Sequence, residues 1–208
     1  MTRILIAFYS RGGSVEALAQ AAAEGARETG AEVRLRRVRE LVGEDVMALA
    51  PGWAEAATRM NAAYPAPTVD DALWADGVLL GAPTRFGGAA SELRAFTDSL
   101  GPLWMSNAMR DKAGAVFTSA SAAHGGVETT LLSLYPVLAH LGLVIVPNGY
   151  GAPENRVAGT PYGSASLSLG ASRQLPSDAE RQVARLQGAR VARVATSLRH
   201  LTEPARTP

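Results

Sequence analysis

The sequence predicts an α/β protein built on a doubly wound sheet of five parallel strands, with helices covering both faces. Short apolar runs alternate along the chain with helical patterns, as expected when crossover helices join parallel strands. The first run, Arg3–Phe8, is almost continuously apolar, which is typical of a central strand buried on both faces. Turns rich in glycine, serine or threonine follow the first, third and fourth runs, where sheets of this class bind their ligands.

The apolar spacing along the chain sets the expected boundaries of each element. Five strands are predicted over residues 3–8, 32–38, 77–80, 113–118 and 143–146. Helices are predicted over residues 15–29, 91–100, 127–140 and 178–198, with a brief helix just before the third strand. The expected strand order is 2-1-3-4-5, which brings the turns after strands one, three and four to one pocket.

Two stretches do not follow the alternation of strands and helices. Residues 41–67 have weak periodicity and several prolines, so we interpret them as a loop inserted after strand two, with one short helix. Residues 148–177, after strand five, far exceed the roughly 2 to 6 residues of an ordinary connection, so we expect a functional loop there. The elements together form one domain over residues 1–199, and residues 200–208 are expected to form a disordered tail.

Composition and charge exclude several classes of protein. The 208 residues carry a net charge of +1, which argues against nucleic-acid binding because that function needs a concentrated basic face. Without cysteine there are no disulfides or thiol nucleophiles, and the three histidines lack metal-ligand spacing, so we predict no metal site. No apolar run is long enough to span a membrane and no leader precedes the first strand, so we expect a cytoplasmic protein.

One basic cluster lies on and just after the second strand. It consists of Arg34, Arg36, Arg37 and Arg39, and the apolar residues Val33 and Leu35 alternate with its first members. We interpret the cluster as a solvated sheet edge blunted by charge. The alternative is that these arginines steer an acidic cofactor such as NADPH toward the pocket.

The turn after the first strand, residues 9–14, has the composition of a phosphate cradle. Hydroxyls at Ser10 and Ser14 flank a glycine pair that permits positive φ, so side chains and backbone N–H groups can converge on one oxyanion. In the alternative interpretation, Ser14 is an ordinary N-cap and the glycines only form a tight turn. The turn lacks the dinucleotide G-x-G-x-x-G, the P-loop lysine and the acids of receiver domains. What remains is a ligand with one phosphate and a flat ring system, and FMN fits.

Four further motifs occur in order at the expected structural places. They are APTRFG at residues 82–87, LAH at 138–140 followed by Gly142, VIVP at 144–147 with Gly149 and Tyr150, and GTPYG at 159–163. In these motifs the chain resembles the WrbA-type NAD(P)H:quinone oxidoreductases, a family of flavodoxin-like FMN enzymes. The resemblance covers residues 3–198, and it is least specific in the phosphate turn, which many flavodoxin-like proteins share.

The resemblance implies an FMN site assembled from the three turns. It assigns the FMN phosphate to Ser10, Arg11, Gly12, Gly13, Ser14 and Val15; the ring and ribityl chain to Pro83, Thr84, Arg85 and Phe86; and the pyrimidine side of the ring to the fourth-strand turn, including Ser119, Ala120, Ser121 and Gly125. From the residues alone, Arg85 could instead form a surface ion pair with Glu92.

The resemblance also implies two catalytic residues outside these turns. It places His140 beside the pyrimidine edge of the flavin, often across a subunit boundary, as a flavin contact or proton donor, and it makes Trp104 a wall of the substrate site. From the residues alone, His140 would only complement a helix dipole. Trp104 would be a partly buried loop aromatic.

The activity implied by the resemblance is that of an FMN-dependent NAD(P)H:quinone oxidoreductase. The resemblance also implies that the protein is a homotetramer. NADH or NADPH would deliver hydride to flavin N5 and leave, and a quinone would then take two electrons at the same face. Gly12 stands where many relatives have a tyrosine and the turn 119–125 is richer in alanine, so contacts to the nicotinamide are expected to differ. Two alternatives stay open: a flavodoxin-type one-electron carrier, which the near-neutral charge disfavours, and a flavin-bound interaction module without turnover.

Overall fold

The computed structural model describes residues 1–168 and 175–202, which form seven strands and nine helices. The strands are β1 (Arg3–Phe8), β2 (Glu32–Arg37), β3 (Gly77–Arg85), β4 (Gly88–Ala89), β5 (Ala113–Ala120), β6 (Val144–Ile145) and β7 (Ser164–Leu167). The helices are α1 (Ser14–Glu28), α2 (Glu44–Met47), α3 (Trp53–Ala63), α4 (Val69–Trp74), α5 (Ser91–Asp98), α6 (Gly101–Met105), α7 (Val127–His140), α8 (Glu154–Ala158) and α9 (Asp178–Thr202).

The parallel sheet confirms the predicted fold class. Its strand order is β2-β1-β3-β5-β6, which is the predicted order 2-1-3-4-5 once the short strand β4 is left out of the count. Strand β4 forms an antiparallel hairpin with the end of β3. Strands β6 and β7 share the edge of β5, with β6 paired to its start at Ala113 and β7 paired to its end from Phe117. The fifth strand position is therefore filled by two short strands.

Each face of the sheet has its own apolar core. Strand β1 alternates between them, so that Ile4 and Phe8 pack with α1 and α9, while Leu5 packs with α5 and α7 on the other face. Helices α1 and α9 cross at close range because Gly188 lets the backbones meet: a Cβ there would lie 1.9 Å from the carbonyl oxygen of Ala22. The crossing therefore packs the middle of α1 against α9.

The prediction for residues 41–67 was wrong in extent, because this segment contains two helices, α2 and α3. In α3 only Trp53, Ala57 and Met60 are buried. These residues are spaced by four and three, so they form one narrow stripe with polar residues around it. Such a stripe gives a weaker periodic signal than a helix buried on a broad face.

Strand β3 extends past its predicted end to Arg85, because its last residues pair with β4 across a tight turn. The turn is formed by Phe86 and Gly87, which have φ values of 51° and 80°. The residues predicted to form a loop after the third strand therefore form a β-hairpin.

The predictions for the second inserted segment and for the C-terminal tail were also too simple. The segment 148–177 contains α8 and β7, and residues 169–174 lie outside the described part of the chain. The final helix, α9, continues through Thr202, so the residues predicted to begin a tail at position 200 are helical. Residues 203–208 lie outside the described residues. Among the helices that are described, none combines the length and the apolar character needed to cross a membrane.

Candidate functional site

A groove of about 280 Å³ lies at the carboxyl edge of the sheet, where β1, β3 and β5 end. It brings together residues from all three predicted turns and one residue from the second insertion. They are Ser10, Arg11, Gly12, Ser14, Val15, Pro83, Thr84, Arg85, Ser119, Ala120, Ser121 and Ser168. Gly13 and Phe86, predicted for the same site, are chain neighbours of these residues but do not line the groove. Gly125, also predicted for it, lies four residues after Ser121 and contacts the groove residue Thr84 through its carbonyl.

The turn 9–14 leads directly into α1, and residues of the turn and of the helix start line the groove. Gly13 has a φ of 100° and caps α1, and its own N–H donates to the Ser10 hydroxyl at 3.1 Å. Ser14 is the first helical residue and caps nothing, so its interpretation as an ordinary N-cap was wrong. In the described part of the chain no side chain caps this helix start, which leaves its first N–H groups and positive dipole end available to an anion.

Helix α3 buttresses the phosphate turn from outside. The guanidinium of Arg11 stacks on the ring of Trp53, 3.8 Å from its centroid. Arg59 forms a two-point ion pair with Glu16, at 2.9 and 2.5 Å. The inserted segment 41–67 therefore supports the turn directly, a role that its weak periodicity did not predict.

The β3–β4 hairpin forms the second wall of the groove. The hydroxyl of Thr84 donates to the carbonyl of Gly125 at 3.2 Å and accepts from the hydroxyl of Thr130 at 2.8 Å, which ties the hairpin to the fourth-strand turn. Phe86 is fully exposed at the hairpin tip. Arg85 donates to the carbonyl of Thr84 at 3.1 Å. Within residues 1–168 and 175–202, Arg85 and Glu92 form no ion pair, and Glu92 is buried.

The third wall is the end of β5 together with β7. Thr118 is fully buried and donates to the carbonyl of Ala82 at 2.7 Å, which keeps the ends of β3 and β5 in register. Ser168, which follows β7, contacts the Ser14 hydroxyl across 154 residues of sequence. Sequence reasoning missed Ser168, although Ser164, Ser166 and Ser168 alternate with nonpolar residues, which is the period of a strand.

Under the groove, Tyr9 is fully buried. Burial raises the pKa of its hydroxyl, and the carboxylates of Glu92 and Glu40 raise it further. Tyr9 is therefore neutral at physiological pH, and the floor of the groove gains no negative charge from it.

The arginine cluster is not a solvated edge as a whole. Arg34 and Arg36 both donate to Asp71, at 3.0 and 2.9 Å, and Arg39 donates to Asn61 at 2.7 Å. Arg37 is completely buried, which overturns its interpretation as part of a solvated face. These partners belong to the fold of the chain, so the contacts of the cluster favour a structural role over the steering of a cofactor.

The two predicted catalytic residues lie in a different place. Trp104 and His140 line a second cavity of about 350 Å³, together with residues of α5, α6 and α7. Helix α7 starts at the carboxyl edge of the sheet and runs about 20 Å to His140, at 1.5 Å per residue, so His140 is at the amino edge. A single chain therefore does not bring Trp104 or His140 to the groove.

The donors of the groove fit the chemistry of FMN. A phosphate monoester suits an uncapped helix start with hydroxyls at Ser10 and Ser14, because amides and hydroxyls bind a dianion by charge-assisted hydrogen bonds. The hairpin and the turn 119–121 form walls that could flank a flat ring. Ser10 to Val15 would hold the phosphate, and residues 83–85 and 119–121 would lie along the ring.

Comparison with known proteins agrees with this geometry. The profile of the NADPH-dependent FMN reductase family matches residues 3–157. A protein of Rhizobium johnstonii named NAD(P)H dehydrogenase (quinone) is 39% identical over 204 residues, which is 95% of this chain and 100% of that protein. A protein of Methylocella silvestris with the same name is 40% identical over 96% of this chain and 100% of its own length.

Solved structures agree on the fold. A flavodoxin, WrbA-like protein from Agrobacterium tumefaciens superimposes with a TM-score of 0.66 at 24% identity, covering 95% of this chain and 99% of that one. A flavodoxin from the domain Archaea superimposes with a TM-score of 0.61 at 15% identity, covering 94% of this chain and 99% of that one.

Proposed function

Because this chain belongs to the NADPH-dependent FMN reductase family, we propose that it is an FMN-dependent NAD(P)H:quinone oxidoreductase. The net reaction converts NAD(P)H, a proton and a quinone into NAD(P)⁺ and a hydroquinone, so two electrons move in each turnover. The observation that carries the proposal is the groove itself, in which an uncapped helix start and serine hydroxyls face the carboxyl ends of three parallel strands.

The proposed cofactor supplies redox chemistry that no side chain of this protein offers. When bound, FMN would take a hydride from NADH or NADPH at its N5 atom and pass two electrons to a quinone at the same face. The chain's contribution is to bind and orient planar molecules. The N–H groups of α1 and the hydroxyls of Ser10 and Ser14 would hold the phosphate end, while residues Pro83 to Arg85 at the end of β3 would present backbone polar groups and one cation to the ring.

We further propose that the working form is a cytoplasmic homotetramer. The proposal is supported by the position of Trp104 and His140, which lie in a cavity remote from the groove of their own chain. Trp104 is half exposed and Met105 beside it is 73% exposed, as expected for residues covered by a second copy. In the assembly, Trp104 of one copy would wall the substrate site of another, and His140 would contact the ring or hold a proton there.

Anaerobic absorbance spectroscopy tests the activity. Protein loaded with FMN is mixed with NADH or NADPH and then with benzoquinone. We expect at least one nucleotide to bleach the flavin absorbance and benzoquinone to restore it. An unchanged spectrum with both nucleotides would contradict the proposal. Reduction in two separate one-electron steps, without turnover of quinone, would favour the electron-carrier alternative.

Sedimentation velocity tests the assembly. The 21.7 kDa chain should sediment as a species of about four times that mass at micromolar concentration. Replacing Trp104 with alanine should lower kcat/KM for the quinone while flavin content per chain stays unchanged. A fully active monomer would contradict the tetramer and the roles given to Trp104 and His140 together.

A further inference from the structure

A buried arginine directly beneath the groove has no part in the function proposed so far. Arg37 ends strand β2, and its side chain is completely inaccessible to solvent, the bulkiest of the fully buried side chains. Burying a guanidinium is costly unless its donors are satisfied, so a buried arginine of this kind needs specific partners. Those partners define what the residue does.

The guanidinium of Arg37 bonds to the phosphate turn from below. Its Nη2 donates to the backbone carbonyl of Ser10 at 3.0 Å, although 27 residues separate the two. Its carbon lies 5.6 Å from the centroid of the Tyr9 ring, the residue before Ser10. Arg37 thus touches the turn on its protein side, whereas the groove lies on the other side. We propose that Arg37 is a positioning residue that sets the phosphate turn for FMN, an inference that rests on the proposed function.

The contact has a specific consequence for the donors of the turn. The Ser10 carbonyl belongs to the same peptide unit as the N–H of Arg11, so a cation hydrogen-bonded to that carbonyl polarises the N–H and makes it a stronger donor. The Ser10 side chain also accepts from the N–H of Gly13, which holds the left-handed backbone at Gly13 that starts α1. Fixing Ser10 therefore fixes both the hydroxyl and the helix start.

Glu40 neutralises the charge of Arg37 in place. Its carboxylate accepts from Nη1 at 3.1 Å and also accepts from Nη2. Burial alone would raise the pKa of Glu40, but the hydrogen bonds and charge of Arg37 outweigh burial and hold that pKa below its ordinary value. The pair is neutral overall, so its effect on a phosphate comes from geometry and local polarisation rather than from long-range attraction.

Helix α3 provides a further hydrogen-bond partner for Arg37. The side-chain oxygen of Asn61 accepts from Nη1 of Arg37 and from Nη1 of Arg39, the latter at 2.7 Å. The same helix carries Trp53, on which Arg11 of the turn stacks. Arg37 therefore couples the phosphate turn to the inserted segment, and the other arginines of β2 do not: Arg34 and Arg36 bond to Asp71 instead.

The test compares the binding of FMN and riboflavin, which differ only in the phosphate. Dissociation constants are measured by flavin fluorescence for the wild type, Arg37→Met, Arg37→Lys and the control Arg34→Met. We expect Arg37→Met to weaken FMN binding about 10- to 100-fold, the effect of losing a charge-assisted hydrogen bond. Riboflavin binding should change less than about threefold, and the control should leave both constants unchanged.

Arg37→Lys keeps the charge and most of the volume, so it remains informative if the methionine variant does not fold. The two Nη atoms of Arg37 make four hydrogen bonds, to Ser10, Glu40 and Asn61, whereas a lysine ammonium has three N–H donors on one nitrogen, so we expect an intermediate loss for FMN alone. Equal losses for FMN and riboflavin, or no loss for FMN, would overturn the role of Arg37. A wild-type chain that binds neither flavin would instead contradict the proposed function.

Discussion

The two edges of the parallel sheet differ in how they satisfy the ends of their helices. At the carboxyl edge, α1 starts without a side-chain cap, and its first residues line the groove. At the amino edge, the buried ammonium of Lys112 donates to the carbonyl of Leu73 at 2.7 Å, in the last turn of α4. Because crossover helices all run the same way relative to the sheet, their dipoles make one edge suited to anions and the other to cations.

The amino edge meets this requirement with the chain's own side chains. Lys112 is one cation that meets it, and the guanidinium of Arg3 is a second; the guanidinium donates to the carboxylate of Asp76 at 3.2 Å, and the backbone N–H of Arg3 donates to it at 2.8 Å. The carboxyl edge presents donors to a groove. The side chains of the amino edge therefore serve stability, and the carboxyl edge offers the surface that we propose for binding.

The largest effect on stability is expected from Gly188→Ala, a change that displaces α1 without altering any hydrogen-bond donor of the groove. Gly188→Ala places a Cβ 1.9 Å from the carbonyl oxygen of Ala22, a backbone atom that cannot move aside cheaply. We expect a loss of about 3 kcal/mol or more in unfolding free energy and a fall in Tm of roughly 6 to 12 °C. Thermal unfolding measures it, with Gly101→Ala as control because nothing lies within 4 Å of a Cβ there. Equal Tm values for both variants would show that the α1–α9 crossing has no such constraint.

The next largest effect is a pH dependence of the unfolding free energy that arises from Lys112 at the amino edge. Burial lowers the pKa of Lys112 from 10.5 to about 8, so between these values the folded chain has released a proton that the unfolded chain still holds. The contribution of Lys112 to the unfolding free energy therefore rises with pH across this interval, by about 3 kcal/mol in total. Urea unfolding at pH 7.5 and 10.5 measures the rise.

Lys112→Met should remove this rise and leave FMN affinity at neutral pH unchanged, because the residue lies at the opposite edge from the groove. The same dependence on pH in both proteins would contradict the shifted pKa. A loss of FMN binding in this variant would contradict the separation of the two edges.

A smaller effect is expected at the carboxyl edge from Ser14→Ala. This change removes one hydroxyl from the groove and the contact to Ser168, while Gly13 still caps the helix. We expect FMN binding to weaken about tenfold and riboflavin binding to stay the same, since one hydrogen bond to a charged group is lost. Titration with both flavins measures the difference. Ser99→Ala, outside the groove, serves as control, and equal weakening by both variants would argue against a phosphate site.

The smallest effect is expected from Arg59→Met, which removes the ion pair between α3 and Glu16. The Arg59 side chain is 58% exposed, and buried Glu16 keeps a hydrogen bond from the Tyr64 hydroxyl at 3.0 Å, so the loss of the pair should cost about 1 kcal/mol of unfolding free energy. FMN affinity should change less than twofold, in contrast to Arg37→Met. A large loss of FMN binding would mean that the whole surface of α3, rather than buried Arg37, sets the turn.

Much of the fold could be predicted because its signals are local. The apolar run Arg3–Phe8 and the stripe of helix α7 are visible in the order of the residues, and the structure matches both ranges. The strand order followed from general rules for parallel sheets. Strand β7 was missed although its serines alternate with nonpolar residues, because Ser164–Leu167 is short and contains one bulky apolar residue, Leu167; pairing with β5 makes the segment a strand.

The sequence by itself determined that turns rich in glycine, serine or threonine follow three strands of one sheet, and it predicted a phosphate-binding groove at their ends. Only the tertiary structure decided which arginine supports that groove. Residues alternate between the two faces of β2, so the sequence places Arg37 on the same face as Val33 and Leu35. The alternation does not predict that Ser10, Glu40 and Asn61 are the hydrogen-bond partners of Arg37. Periodicity records which face of an element is buried, whereas the partners of a buried charge come from distant segments that meet only when the chain is folded.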